Sequence, residues 1–233
     1  MRLKVDPQIF KKFPGVRIAV LKLQGIDNSK SQDKIAMLLR EEEKRQNRLL
    51  QTVEFGVFPE TASWRAVYEA FGSKPSDFRS SVEALLRRVK ASKPLPSINP
   101  LVDLYNYISI RFYLPAGAED LDKVVGDIEL TFAKGNEKGR YIGSEREESC
   151  YPGEVIYKDA QGFICRRWNW REGERTKIER KTKNAILVLE ALPAVTEEKL
   201  RKALEQTENL VKGFLGGKIK SKILMLKEPI LEL

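Results

Sequence analysis

No histidine occurs anywhere in the chain. That absence removes serine and cysteine triads built on a histidine base, zinc sites of the Cys/His type, and imidazole general acids and bases. Cysteine is scarce as well, with Cys150 and Cys165 the only two. Two thiols cannot build a four-cysteine zinc site, and no metal or cofactor is expected. Disulfides belong to oxidising compartments, and this pair is expected to stay reduced. Long apolar runs are also missing: nothing approaches the roughly 20 apolar residues of a membrane-spanning helix. The start, Met1 to Asp6, has no apolar segment of the secretory kind. The expectation is a cytoplasmic protein with no membrane partner. Chemistry here must come from carboxylates, hydroxyls, amides, backbone donors, a thiol or a group on the substrate.

What is present is a globular composition, 42% hydrophobic and 32% charged over 233 residues. Such a chain can bury a real core, and residues 1–233 are expected to form a single unit. The net charge is +9, which favours polyanionic partners such as nucleic acid. Its distribution is uneven. Between Phe163 and Lys183 eight basic residues face three acidic ones, so this tenth of the chain carries +5 of the total.

Residues 16–23 form a β-rich run and predict a strand. Residues 31–53 predict a helix with a charged middle, and 62–71 a shorter helix closed by Gly72. Ser76 can cap a further helix on the apolar spacing Phe78, Val82, Leu85, Leu86 and Val89. Asn99-Pro100 opens the next helix, since asparagine caps and proline suits the first turn. The segment Pro115-Ala116-Gly117-Ala118 is expected to end it. Short β-like runs follow at 125–133, 153–158, 163–168 and 184–192, with Gln161-Gly162 as a hairpin turn. Thr196 caps a helix that ends at Gly216-Gly217, and 222–226 is read as a last strand. Helices and strands mix without regular βαβ alternation, so the fold class is α+β, with mixed sheets packed against helices.

The stretch Ser97-Ile-Asn-Pro-Leu-Val-Asp-Leu-Tyr-Asn-Tyr-Ile-Ser-Ile110 resembles the Ile-Asn-x-x-Val-Asp-x-x-Asn-Tyr segment of the phenylalanyl-tRNA synthetase beta chain. Leu114-Pro-Ala-Gly-Ala-Glu-Asp-Leu-Asp-Lys123 is similar to that family's Gln-Pro-Leu-His-Ala-Phe-Asp-x-Asp-Lys block, and Gly126-Asp-Ile-Glu-Leu to the Gly-x-Ile-x-Val that follows. The resemblance is strongest over residues 64–192. In the synthetase this region is the editing domain, made of the third and fourth B modules, which hydrolyses tyrosine wrongly attached to phenylalanine tRNA. The resemblance implies a pocket for the aminoacylated 3′ end of a tRNA, and a stand-alone trans-editing aminoacyl-tRNA hydrolase. The alternative is a catalytically idle module that binds tRNA or an amino acid.

Carried over residue by residue, the family asparagine falls on Asn106 and a glutamate of the closing segment on Glu174 or Arg175. The family histidine falls on Gly117. That departure implies either lost editing or a pocket for a different aminoacyl group. Asn106 and Glu174 are the implied catalytic residues, with Pro115, Ala116 and Gly117 around the substrate. The phosphate and base contacts to tRNA are expected from Arg166, Arg167, Trp168, Trp170, Arg171 and Arg175, because guanidinium groups pair with phosphates and indoles stack on bases. On a strand Trp168 and Trp170 would share one face; the other reading puts both in the core. Asp103, Asp120 and Asp122 read as caps or loop braces. Cys165 stands beside two arginines, which would lower a thiol pKa, but no base partner for it is evident.

Overall fold

Asn99 shows how local chemistry sets this architecture. In the computed structural model, which describes residues 1–29 and 33–233, its side chain accepts the Val102 N–H at 3.1 Å. It also accepts the Asn28 amide at 3.1 Å and donates to the Ile178 carbonyl at 3.3 Å. One asparagine thus caps the central helix and ties it to two distant segments. Asn99→Ala is expected to cost about 1–2 kcal/mol, the usual loss of a cap, read as a lower urea midpoint with an unchanged slope.

The chain runs β1 (Arg2–Val5), α1 (Pro7–Lys12), β2 (Arg17–Gln24), α2 (Asp33–Leu50), α3 (Pro59–Ala70), α4 (Ser81–Lys90) and α5 (Pro100–Phe112). Then follow β3 (Ala116–Asp120), a 3-10 turn at Leu121–Lys123, β4 (Ile128–Phe132), β5 (Lys138–Gly139) and β6 (Glu148–Ser149). The rest is β7 (Val155–Asp159), β8 (Gly162–Arg166), β9 (Arg171–Glu172), β10 (Asn184–Ala191), α6 (Glu197–Phe214), β11 (Lys218–Leu224) and β12 (Ile230–Glu232). The class is α+β, as expected.

Two sheets organise the molecule. One has the order β12-β1-β4-β7-β8-β9, and the other β11-β2-β10-β3. Among the described residues only β1 and β4 pair in parallel; the remaining ladders are antiparallel. The central pair β2 and β10 is apolar on both faces, so these strands read as nearly continuous hydrophobic runs. Eleven of the thirteen α5 residues are buried, which makes this helix core rather than surface. It packs against α2, α6 and β3. Among the described residues no helix is long and apolar enough to cross a membrane.

Several expected boundaries move for physical reasons. The helix predicted from residue 31 starts at Asp33; positions 31 and 32 lie outside the described residues. The Ser76 cap is not used: Ser76 hydrogen-bonds Asp77, and Ser80 caps α4 by accepting the Glu83 N–H. Ser80-x-x-Glu83 is a capping-box spacing, and Phe78 falls outside the helix. The proline-glycine segment does not end α5. Tyr113 does so in the left-handed region, φ 59°, and Leu114 N–H returns to the Ser109 carbonyl. Pro115 is followed by strand β3, whose small residues pair along β10. Tertiary pairing there overrides a weak β propensity. The elements β1, α1 and β12 carried too little periodic signal to be expected.

Candidate functional site

A cavity of about 380 Å³ lies between the facing surfaces of the two sheets and is closed on one side by α4 and α5. Alternation along β10 decides which of its residues enter, whereas four successive residues of β3 border it. From β10 come Ile186, Val188 and Glu190, and from β3 Gly117 and Glu119. Across from them Tyr157, Cys165 and Glu172 stand in register on β7, β8 and β9. Tyr105 and Asn106 project from α5, and Ser81, Ala84 and Leu85 from α4. The walls are mainly apolar and the polar groups are few, which is the usual make-up of a small-molecule site.

Asn106 is buried yet borders the cavity, and no described residue hydrogen-bonds its side-chain amide. Ala116 and Gly117 also border it. Pro115 is buried behind them, its carbonyl accepting the Glu190 N–H at 3.0 Å. Gly117 is open for a reason that its own position hides: a Cβ there would stand 2.8 Å from Glu172 Oε1. The missing side chain admits a carboxylate from β9.

Three carboxylates meet this cavity, and the sequence reading named none of them. Burial pushes Glu172 up to about 7, against the pull of the nearby Ala118 N–H. Burial and then the charge of Glu172 push Glu119 well above its ordinary value, while Thr176 and Arg175 pull the other way. Glu119 Oε2 is buried with no hydrogen-bond partner. Among the described residues neither glutamate forms an ion pair. Glu190 differs. It accepts Tyr157 Oη at 2.6 Å, Trp168 Nε1 at 2.8 Å and Asn169 Nδ2 at 2.7 Å, yet burial still pushes it to about 7. That carboxylate is a structural hub with three side-chain donors; Glu119 and Glu172 have fewer, the Thr176 hydroxyl acting on the first and the Ala118 N–H on the second.

Other expected residues stand elsewhere. Glu174 lies past the Gly173 bend, paired with Lys177 and accepting the Gly143 N–H at 3.1 Å, away from the cavity. The Lys177 ammonium holds its carboxyl below the usual range. Arg175 is engaged too, donating to the Lys123 carbonyl at 2.8 Å and to Asp159 at 2.6 Å.

The segment 166–171 is not one strand. Arg167 and Trp168 have φ of 45° and 65°, and a tight turn joins β8 to β9. Side chains on such a turn do not alternate, so Trp168 and Trp170 do not share a strand face. Trp168 is fully buried and edge-on to Trp64, so it meets the cavity wall and not the outer surface. Arg166 is 1% exposed and held bidentately by Glu154, so it cannot reach a phosphate. Arg167 is stacked on Phe78, 3.6 Å from the ring centroid, and beside Trp170. Trp170 borders the cavity, and Arg171 is exposed at its edge. Ile142, also at the edge, is flanked on its loop by exposed Arg140 and Arg146.

Cys165 borders the cavity, but burial and the charges of Glu172, Glu119 and Glu190 push its thiol well up. The neighbouring arginines do not lower it, because Arg166 points to the opposite face. Asp103 braces the Ile98 N–H and Ser97, and Asp120 accepts Asp122 N–H and Thr182 Oγ1, as expected of caps.

The family model described as the B3/4 domain matches residues 63–214. Among solved structures, an N-terminal fragment of the phenylalanyl-tRNA synthetase beta-subunit from Pyrococcus horikoshii is similar at 14% identity and a TM-score of 0.47. That match covers 93% of this chain and 49% of the fragment, so the chain spans about half of its length. No curated protein matches.

Proposed function

The chain belongs to the B3/4 domain family, and from that premise we propose that it hydrolyses the ester of a mischarged aminoacyl-tRNA, working in trans on the 3′ end. One observation carries the reading. The free Asn106 amide, the open face of Gly117 and the Glu172 carboxylate all border one apolar cavity of amino-acid size.

Each group has a role in that reaction. Glu172 takes a proton from a water whose oxygen bonds the ester carbon. The Asn106 amide donates to the carbonyl oxygen as negative charge develops on it. The carbon–oxygen bond to the ribose then breaks, and the proton held by Glu172 passes to the departing ribose oxygen. A glutamate with a pKa near 7 is suited to both transfers at neutral pH. The apolar walls, with Tyr105 and Trp170, suit an apolar or aromatic aminoacyl group. Arg140, Arg146 and Arg171 supply positive charge around the mouth for the acceptor strand.

The test is deacylation of a panel of matched and mismatched aminoacyl-tRNAs. At least one mismatched species should be cleaved. Asn106→Ala should cleave it about 10²–10³-fold more slowly, the usual loss of one oxyanion donor, with an unchanged melting temperature. A panel in which nothing is cleaved removes the hydrolase and leaves a binding module.

A further inference from the structure

We propose that Glu119 is the anchor for an organic ammonium group, so that the cavity takes amino compounds with a free α-amine and rejects their N-acylated forms. The choice of an amino-acid ligand rests on the aminoacyl reading above; the need for a cationic group does not.

A carboxylate is costly inside an apolar cavity unless something cationic meets it. Glu119 is 8% exposed, its Oε2 makes no hydrogen bond within 3.5 Å although the Thr176 hydroxyl is near enough to pull on it, and among the described residues no ion pair neutralises it. A core glutamate kept for structure looks different, as Glu190 shows: three side-chain donors surround it. Glu119 instead borders the open cavity, with Glu172 facing it from the other sheet. The partner that completes this site therefore comes from outside.

That partner is not a metal ion. No three Cys, Asp or Glu side chains among the described residues gather closely enough to hold one, and the remaining walls are largely apolar, whereas hard cations require six or more oxygens. An ammonium needs few acceptors and tolerates an apolar wall beside it. An α-ammonium carries its side chain on the adjacent carbon, and Leu85, Ile128, Ile186 and Val188 are there to receive it.

The charged and titratable neighbours fix what happens on binding. Glu172 on β9, Cys165 on β8, Tyr157 and Asp159 on β7, Tyr105 on α5 and Glu190 on β10 surround the group, with Thr176 and Arg175 beyond β9. Arg175, the cation that pulls on Glu119, is already bound to Asp159. The empty pair Glu119/Glu172 therefore retains a proton near neutral pH, and an arriving ammonium displaces it into the buffer. The same ammonium lowers the pKa of Glu172 and charges the base beside the ester. A substrate without a free amine leaves that base protonated.

The experiment is calorimetric titration of the full chain with the amides of the common L-amino acids and with their N-acetyl derivatives, in two buffers of different ionisation heat at pH 7. At least one amide should bind with proton release, and its N-acetyl form at least ten-fold more weakly. Glu119→Gln should weaken the amide at least ten-fold and leave the N-acetyl form unchanged. The glutamine is isosteric and removes an unpaired buried charge, so this variant should melt no lower than wild type. The proposal is overturned if no amide binds, if the acetylated form binds equally well, or if a folded Glu119→Gln protein binds as wild type does. Amide binding without any tRNA hydrolysis would instead remove the hydrolase reading and leave the ammonium site standing.

Discussion

A Glu172→Gln protein is expected to cleave the responsive aminoacyl-tRNA about 10²–10⁴-fold more slowly than wild type, the range for losing a general base. The group stands on β9, facing the spot where Gly117 has no side chain, and borders the same cavity as Asn106. Its pKa of about 7 sets the pH dependence. Only the carboxylate form accepts a proton, so wild-type kcat/KM should rise with pH up to about 7 and level off above it. The residual rate of the glutamine variant should lack that rise. Gly117→Ala gives an independent check, since its Cβ would meet Glu172 Oε1 at 2.8 Å and displace it. A comparable loss is expected there without a change in fold. Wild-type rates from either variant would remove Glu172 from the reaction.

The same group marks stability. Folded Glu172 binds its proton more tightly than the ordinary glutamate value of 4.5. Its contribution is complete below that value and is lost as pH rises through about 7. Glu119 and Glu190 shift in the same direction. Wild type should therefore melt lower at pH 8 than at pH 5.5, and Glu172→Gln should show a smaller drop.

Glu172 also measures what the sequence discloses. The resemblance, an ordered run of motifs, singled out Asn106 and Gly117, and both border the cavity. The strands at 184–191 and the helix from Glu197 were legible because periodicity and capping agree there. The carboxylates were not. Glu119 follows a segment expected only to end a helix, and pairing with β10 makes it part of a strand that borders the cavity. Glu172 and Glu174 have the same spacing parity, and nothing local says that the chain bends at Gly173 and sends the second one out to Lys177. One hint was present. A glycine where the resembled pattern has a histidine asks what occupies the space, and the answer comes from β9 in the facing sheet. The arginine and tryptophan run failed for a different reason. Two successive non-glycine residues with positive φ persist only where the surroundings over-determine them. Here Glu190, Val155 and the aromatic ring of Trp64 do so, and each lies far from the turn in sequence.

The largest expected loss of stability falls on one of those misread arginines. Arg166→Met should cost about 3–5 kcal/mol, because it leaves Glu154 charged and unpaired in the interior. The guanidinium lies 2.7 Å from each Glu154 oxygen and 2.7 Å from Tyr141 Oη, and it also reaches the more exposed Glu148. These contacts hold the arm of residues 134–152, with β5 and β6, onto the outer face of the six-stranded sheet, over the small cluster of Ala133, Tyr141, Cys150, Ile156 and Phe163. If the pair acts as a unit, Arg166→Met with Glu154→Leu should recover most of the loss, since an apolar pair of similar volume replaces a buried ion pair at little cost. Urea unfolding of both single variants and the double variant measures the coupling. The arm carries Ile142 and its flanking arginines at the cavity mouth, so loosening it has a catalytic signature of its own. The double variant should raise KM for aminoacyl-tRNA and leave kcat close to wild type, because the groups proposed to meet the ester stand on α5, β3 and β9. A fall in kcat with KM unchanged would place the arginine's influence on the chemistry instead of on the mouth.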